Sequence, residues 1–169
     1  MPPKKTSSPP QQQQQEQATA NPADISPAPV RLKVLFVCVG NTCRSQMAEA
    51  LARRDAADVI EPASAGISPF GRVVEPTRLV LLEKGMQIDG QFSKGLSDAT
   101  LFRPDLVINM TGIPGASLFA QARCQDWDVE DPYGEHLETY RRICEDIEGR
   151  VEELAERLRR EARLAGQNS

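Results

Sequence analysis

Cys38 and Arg44 stand six residues apart in the stretch from Val34 to Ala50, VLFVCVGNTCRSQMAEA. With the loop between them, these two side chains can attack and hold a tetrahedral oxyanion. A cysteine is a nucleophile only as its thiolate, and helix N-termini and neighbouring arginines are the surroundings that lower a cysteine pKa, into roughly the 3.5–7.5 range. Arg44 offers a planar fork that can grip two oxygens at once. Gly40 and Asn41 tolerate positive φ, which lets successive backbone N–H groups curl into an anion-binding nest. A lone cysteine after an apolar run is more often a small buried hydrophobe; the loop and its arginine are what favour chemistry here. Val39, Gly40, Asn41, Thr42, Cys43 and Ser45 are then the candidate residues around the oxyanion.

The loop needs a strand before it and a helix after it. Val34 to Val37 is a short apolar, β-branched run that reads as a buried parallel strand. Ser45 is a good N-cap, and Met47, Ala48, Ala50 and Leu51 supply a helical apolar stripe, so a helix begins where the loop ends. Its partial positive charge adds to the anion site. Ser45 has two readings, as that cap or as a hydrogen-bond partner that helps the Cys38 thiolate leave. Asn41 is read as holding the loop's shape through side-chain to backbone bonds.

The complete Cys-x5-Arg-Ser loop between strand and helix resembles the signature of the low-molecular-weight protein tyrosine phosphatase family and its arsenate reductase branch. The resemblance runs from Val34 to the C-terminal helix and includes the Ser64-Ala65-Gly66 element, which in the family ends the second strand. It implies a four-stranded parallel sheet. It also implies that Asp131, followed by Pro132, is the general acid of a phosphocysteine mechanism; the plain alternative is an ordinary helix start with proline at its first position. Phe70 is read either as cover for the core edge or as a wall of the substrate cleft, where the phosphatases carry an aromatic. Tyr133 is placed beside the substrate, although the phosphatases commonly have a second tyrosine where this chain has Gly134. Cys43 packs the loop or forms a reversible disulfide with Cys38 under oxidation.

The rest of the chain supplies the scaffold. The first 29 residues hold seven of the thirteen prolines and the run Gln11 to Gln15, a composition that cannot offset the entropy of ordering, so residues 1–29 are expected to be a disordered tail. Residues 30–165 are expected to form the phosphatase-like domain. Beyond that first strand, the readings are a helix from Pro76 to Lys84, a short helix before Pro104, a strand from Asp105 to Met110 and a helical turn from Ala116 to Ala122. A last strand is expected at Trp127 to Val129. The best helix carries Tyr140, Ile143, Cys144, Ile147, Val151, Leu154, Leu158 and Leu164 on one 3.6-residue stripe. Strands alternating with helices imply an α/β doubly wound sheet with helices on both faces and ligands at the strands' carboxyl edge.

Charge and cysteine usage exclude several classes. The net charge of −4 argues against nucleic-acid binding. No apolar run approaches the ~18 residues of a membrane span, and the residues after Lys4 and Lys5 lack the apolar stretch of a secretory signal. Cysteines at 38, 43, 124 and 144 with the single His136 have no metal-ligand spacing, so neither metal nor cofactor is expected. The thiols are read as free in a reducing, cytoplasmic compartment. His136 reads as a surface helix residue.

The expected function is a metal-independent phosphomonoesterase acting on phosphotyrosine, with a phosphorylated protein or small aryl phosphate as substrate. The alternative is an arsenate reductase that uses an external low-molecular-weight thiol. Gln46-Met47-Ala48-Glu49 looks more like the reductases than the phosphatases, which usually have proline at the first of these positions. Thr111 to Leu118 contain no cysteine, so the internal relay of the thioredoxin-coupled reductases is missing. A third reading is an oxyanion-binding or thiol-regulated interaction protein.

Overall fold

The computed structural model describes residues 29–169. Of the expected tail at residues 1–29, residues 1–28 lie outside the described residues. Four strands form one parallel sheet in the order β2-β1-β3-β4. They are β1 (Leu32–Cys38), β2 (Ile60–Gly66), β3 (Leu106–Asn109) and β4 (Cys124–Asp126). The helices are α1 (Arg44–Asp55), α2 (Glu75–Glu83), the four-residue α3 (Gly115–Leu118) and the 31-residue α4 (Leu137–Gln167), with a 3-10 helix at Thr100–Phe102.

The period-2 rule divides the central strand between two cores. Val34 and Phe36 of β1, with Leu106 and Ile108 of β3, enter the larger core under α1, α2 and α4. Leu35, Val37 and Val107 point to the smaller one, which Leu96, Phe102 and Phe119 help to close. The long helices thus share one face, and the short helical turns and loops cover the other. On α4 the expected stripe is buried from Tyr140 to Leu158, joined by Ala155. Leu164 is exposed, because the helix has run past the core by then.

Three expected elements shift. The final strand is Cys124–Asp126, which pairs Val107↔Cys124 and Asn109↔Asp126, and not Trp127 to Val129. Those residues are apolar because Trp127 packs against Phe36 at 6.0 Å, with Val129 also buried. The helical turn at Ala116 to Ala122 is only Gly115–Leu118, and the short helix before Pro104 is a 3-10 turn. His136 is the exposed N-cap residue of α4 and makes no side-chain cap bond.

Parallel pairing brings the functional ends together. Cys38 is opposite Gly66, and Val37 is opposite Asn109. The order of the sheet reverses between β1 and β3, so the loop after β1 opens at a topological switch point, where such sheets bind ligands.

Candidate active site

The cysteine loop is held in shape from behind. Successive carbonyls of Cys38, Val39 and Gly40 accept the backbone N–H groups of Ile67 (3.2 Å), Ser68 (2.9 Å) and Phe70 (2.8 Å). In a trans peptide the next N–H points the opposite way, so the amides of residues 39 to 41 turn away from that segment and are free to serve an anion. Asn41 takes φ 48°, the left-handed bend that a nest requires. A Cβ on Gly66 would lie 2.7 Å from the Val39 carbonyl oxygen and 2.8 Å from the Asn41 nitrogen, both of them backbone. Only glycine lets the loop pass that closely. Gly66→Ala should therefore cost about 1–3 kcal/mol of stability and displace the loop; a urea midpoint and affinity for inorganic phosphate both equal to wild type would show that the loop has room.

Ser45 does not cap the helix. The residue in the N-cap position is Cys43, without a side-chain cap bond, and α1 starts at Arg44. The Ser45 hydroxyl is engaged elsewhere: its Oγ accepts from Asn41 Nδ2 at 2.8 Å and lies 2.9 Å from Cys38 Sγ. Asn41 and Ser45 are fully buried behind the sulfur. Thr42 ties the loop to its neighbour, since its hydroxyl donates to the Arg72 carbonyl at 2.6 Å and accepts the Val74 N–H at 3.1 Å.

Arg44 is buried, and its Nη1 donates to the Met110 carbonyl at 2.7 Å and the Val129 carbonyl at 3.1 Å. The ends of β3 and of the segment after β4 therefore fix the guanidinium. Its Nη2 faces Asp131 Oδ2 at 3.1 Å. Its Nε is buried with no hydrogen-bond partner among the described residues. A buried, unsatisfied charged donor is costly and calls for an acceptor; an oxyanion oxygen on the floor of the cleft is one.

The cleft holds about 210 Å³ and is lined by Cys38, Val39, Gly40, Thr42, Cys43 and Arg44 from the loop, by Ser68 and Phe70 from one rim and by Asp131 and Tyr133 from the other. Cys38 is 2 % exposed, at the floor. Phe70 and Tyr133 meet edge to face, with centroids 5.2 Å apart. The structure thus brings nine of the expected residues around one cleft and keeps Asn41 and Ser45 behind it. Asp131 is not a helix start: α4 begins six residues later, and Asp131 Oδ1 accepts the Tyr133 N–H at 3.1 Å in a local turn. Ser68 was not anticipated, because nothing in its sequence surroundings distinguishes it from any loop serine. A larger cleft of about 800 Å³ lies between β4 and α4, lined by Trp127, Arg150, Glu153 and Arg157 among others; no cysteine lines it.

The other thiols are quiet. Burial pushes Cys43 up to about 11, and its Sγ contacts the Tyr140 hydroxyl at 3.7 Å. All four cysteines are free thiols. Among the described residues no cluster of His, Cys, Asp or Glu could hold a metal ion, and no helix is long and apolar enough to cross a membrane.

Residues 33–164 match the model of the family described as low molecular weight phosphotyrosine protein phosphatase. A glutaredoxin arsenate reductase from a Synechocystis species is 36% identical over 131 residues, covering 75% of this chain and 98% of that protein. An arsenate reductase solved in its phosphate-binding state superposes with a TM-score of 0.68 at 33% identity, over 75% of this chain and 98% of the other. An arginine phosphatase from Geobacillus stearothermophilus gives 0.69 at 31% identity, over 77% and 94%.

Proposed function

Because the chain belongs to the low molecular weight phosphotyrosine protein phosphatase family, we propose that it is a metal-independent phosphomonoesterase working through a phosphocysteine, with phosphotyrosine-type esters as substrates. One observation carries the reading: Asp131 stands 3.1 Å from Arg44 on a cleft whose floor is Cys38, so nucleophile, oxyanion clamp and proton donor share one small space. The Cys38 thiolate attacks phosphorus, the P–S bond forms as the P–O bond to the leaving group breaks, and Asp131 gives its proton to the departing oxygen. Water then attacks the phosphocysteine, Asp131 takes a proton from it, and the thiolate leaves toward the Ser45 hydroxyl. Backbone amides of the loop and the Arg44 guanidinium hold the equatorial oxygens throughout. The paired rings of Phe70 and Tyr133 suit a flat aryl ester at the rim.

The second reading, an arsenate reductase using an external low-molecular-weight thiol, is favoured by the 36% identical Synechocystis reductase and by Gln46. This side chain donates from Nε2 to the Asn41 carbonyl (3.1 Å), Asn41 Oδ1 (3.0 Å) and the Phe92 carbonyl (2.9 Å), positions that a proline could not serve. Residues 111–118 contain no cysteine, and Cys124 sits beside Gly115 on the far side of β3 from β1, so on this reading the reducing thiol comes from outside the chain.

One assay separates the readings. Chelator-treated protein is given an aryl phosphate, phosphotyrosine and phosphoarginine peptides, and arsenate with glutathione. Hydrolysis of the aryl and phosphotyrosine substrates with background arsenate reduction is the expected result. Arsenate turnover with background hydrolysis overturns it, phosphoarginine hydrolysis alone moves the substrate class, and oxyanion binding without either turnover leaves the interaction-protein reading.

A further inference from the structure

The rim segment that carries Phe70 is tied to the catalytic loop along most of its length. The Phe70 N–H donates to the Gly40 carbonyl, and the Gly71 N–H donates to Ser93 Oγ at 3.0 Å, while the Ser93 hydroxyl donates to the same Gly40 carbonyl at 3.0 Å. The Arg72 carbonyl accepts from the Thr42 hydroxyl, which in turn accepts the Val74 N–H. Thr77 donates to the Thr42 carbonyl at 3.0 Å. Between Phe70 and Arg72, Gly71 takes φ 88°, a left-handed bend that glycine adopts freely. The bend folds residue 72 back onto residue 70, and the Arg72 guanidinium stands over the Phe70 ring, 5.5 Å from its centroid. Arg72, Phe70 and Tyr133 thus form a stack at the mouth of the cleft, fastened to the loop that grips the oxyanion.

The guanidinium in this stack has no polar partner of its own. Arg72 is exposed, and among the described residues its side chain makes no hydrogen bond and meets no carboxylate within ion-pair distance, only the ring. The carboxylates around it are taken. Glu75, three residues on, faces Arg78 at 3.6 Å, and Asp131, across the mouth, faces Arg44 at 3.1 Å. The ten residues lining the cleft include one cation and one anion, and these are the same Arg44 and Asp131. Arg72 therefore leaves an unbalanced positive charge just outside the cleft. An exposed arginine ordinarily gains little from an ion pair, because a long side chain must be immobilised to make it. Stacking on a ring removes much of that freedom beforehand and leaves the edge of the planar fork free for a carboxylate.

We propose that Arg72 makes this protein select phosphotyrosyl peptides that carry an acidic side chain next to the phosphotyrosine, an inference that rests on the phosphotyrosine reading above. A substrate ring held against Phe70 and Tyr133, with its phosphate on Arg44, leaves the peptide backbone outside the mouth. Consecutive Cα atoms lie about 3.8 Å apart, so the neighbouring residue emerges beside the stack, where a glutamate or aspartate meets the guanidinium edge-on. A lysine there is repelled. Because the rim segment and the catalytic loop share their hydrogen bonds, Arg72 keeps its distance from the phosphate, and the protein reads the spacing of two negative charges rather than the charge of the whole peptide.

The test uses three phosphotyrosyl peptides that differ only in the residues flanking the phosphotyrosine: glutamate, glutamine or lysine. kcat/KM is measured for the wild type and for Arg72→Gln, Arg72→Glu and Arg72→Lys, and binding of the same peptides to Cys38→Ser is followed by calorimetry. The wild type should prefer glutamate to glutamine and glutamine to lysine, by about fivefold at each step, the upper range for one exposed charge pair. The preference should fade between about 0.01 M and about 1 M salt, as the screening length shrinks from about 30 Å to about 3 Å. Arg72→Gln should level the three peptides, Arg72→Glu should reverse their order, and Arg72→Lys, which keeps the charge, should retain it over a smaller span. A merely structural role at the rim would change all three peptides by one factor. Equal values for the three peptides in the wild type overturn the inference, and so does a preference that survives Arg72→Gln; either result leaves the phosphotyrosine reading standing. Peptides neither hydrolysed nor bound by a protein that still binds inorganic phosphate overturn both.

Discussion

Cys38→Ser should lower kcat on any phosphate ester by about 10⁴-fold or more, since removing a covalent nucleophile removes the pathway it serves. A hydroxyl has no accessible anionic form near neutral pH. The substitution should leave the fold intact. The side chain is 2 % exposed but already faces the Ser45 hydroxyl at 2.9 Å, so a serine there finds a hydrogen-bond partner instead of a purely apolar wall. Inorganic phosphate should still bind, because Arg44 and the loop amides are untouched. The checks are kcat on an aryl phosphate, a urea midpoint within about 1 kcal/mol of wild type and phosphate calorimetry. Turnover near the wild-type rate in a protein that binds phosphate normally would remove Cys38 from the chemistry.

Asp131→Asn should lower kcat by about 10²–10⁴-fold on an ester whose leaving group is a tyrosine-like phenolate, the usual contribution of a positioned acid. A good leaving group departs as an anion without help, so the loss should shrink sharply on an activated aryl ester. Stability offers an independent reading. Helix capping is no longer in question, with α4 starting at Leu137. An asparagine keeps the oxygen that accepts the Tyr133 N–H and an amide oxygen that can still face Arg44, giving up the charge of a pair whose carboxylate is half exposed and whose guanidinium is buried, at a cost of about 1–3 kcal/mol. Equal small losses on both esters, measured beside the urea midpoints, would leave the acid unassigned.

What the sequence made legible was local. The strand, the loop and α1 lie within 24 residues, and the proposal that Cys38 and Arg44 act together could be made from that one stretch. The stripe on α4 was legible because a long helix repeats its signal eight times. The edge strand β4 was misplaced because three residues, Cys124, Gln125 and Asp126, half buried to exposed, carry no apolar alternation. The run that did look like a strand, Trp127 to Val129, is apolar for another reason, its packing beneath the sheet. Ser45 was misread in part, because serine before an apolar stripe is a cap signal whether or not a sulfur competes for the hydroxyl. The bonds from Asn41 to Ser64 and Lys94 span 23 and 53 residues. No spacing rule reaches that far, and only the parallel register that sets Cys38 beside Gly66 brings them together.

The pairing of Arg44 with Asp131 has a thermodynamic corollary for the ligands of this cleft. Two carbonyls hold one nitrogen of the guanidinium and a carboxylate holds another, so an arriving anion trades places with a counter-ion already present. That exchange depends on charge and on tetrahedral shape, and phosphate, arsenate and vanadate are close to equals in both. The floor is consequently indifferent to whatever the oxyanion is attached to. On the proposed phosphatase reading, discrimination among phosphorylated molecules falls to the rim, where Phe70 and Tyr133 are half exposed and where a change of side chain would redirect the protein to other targets without touching its chemistry.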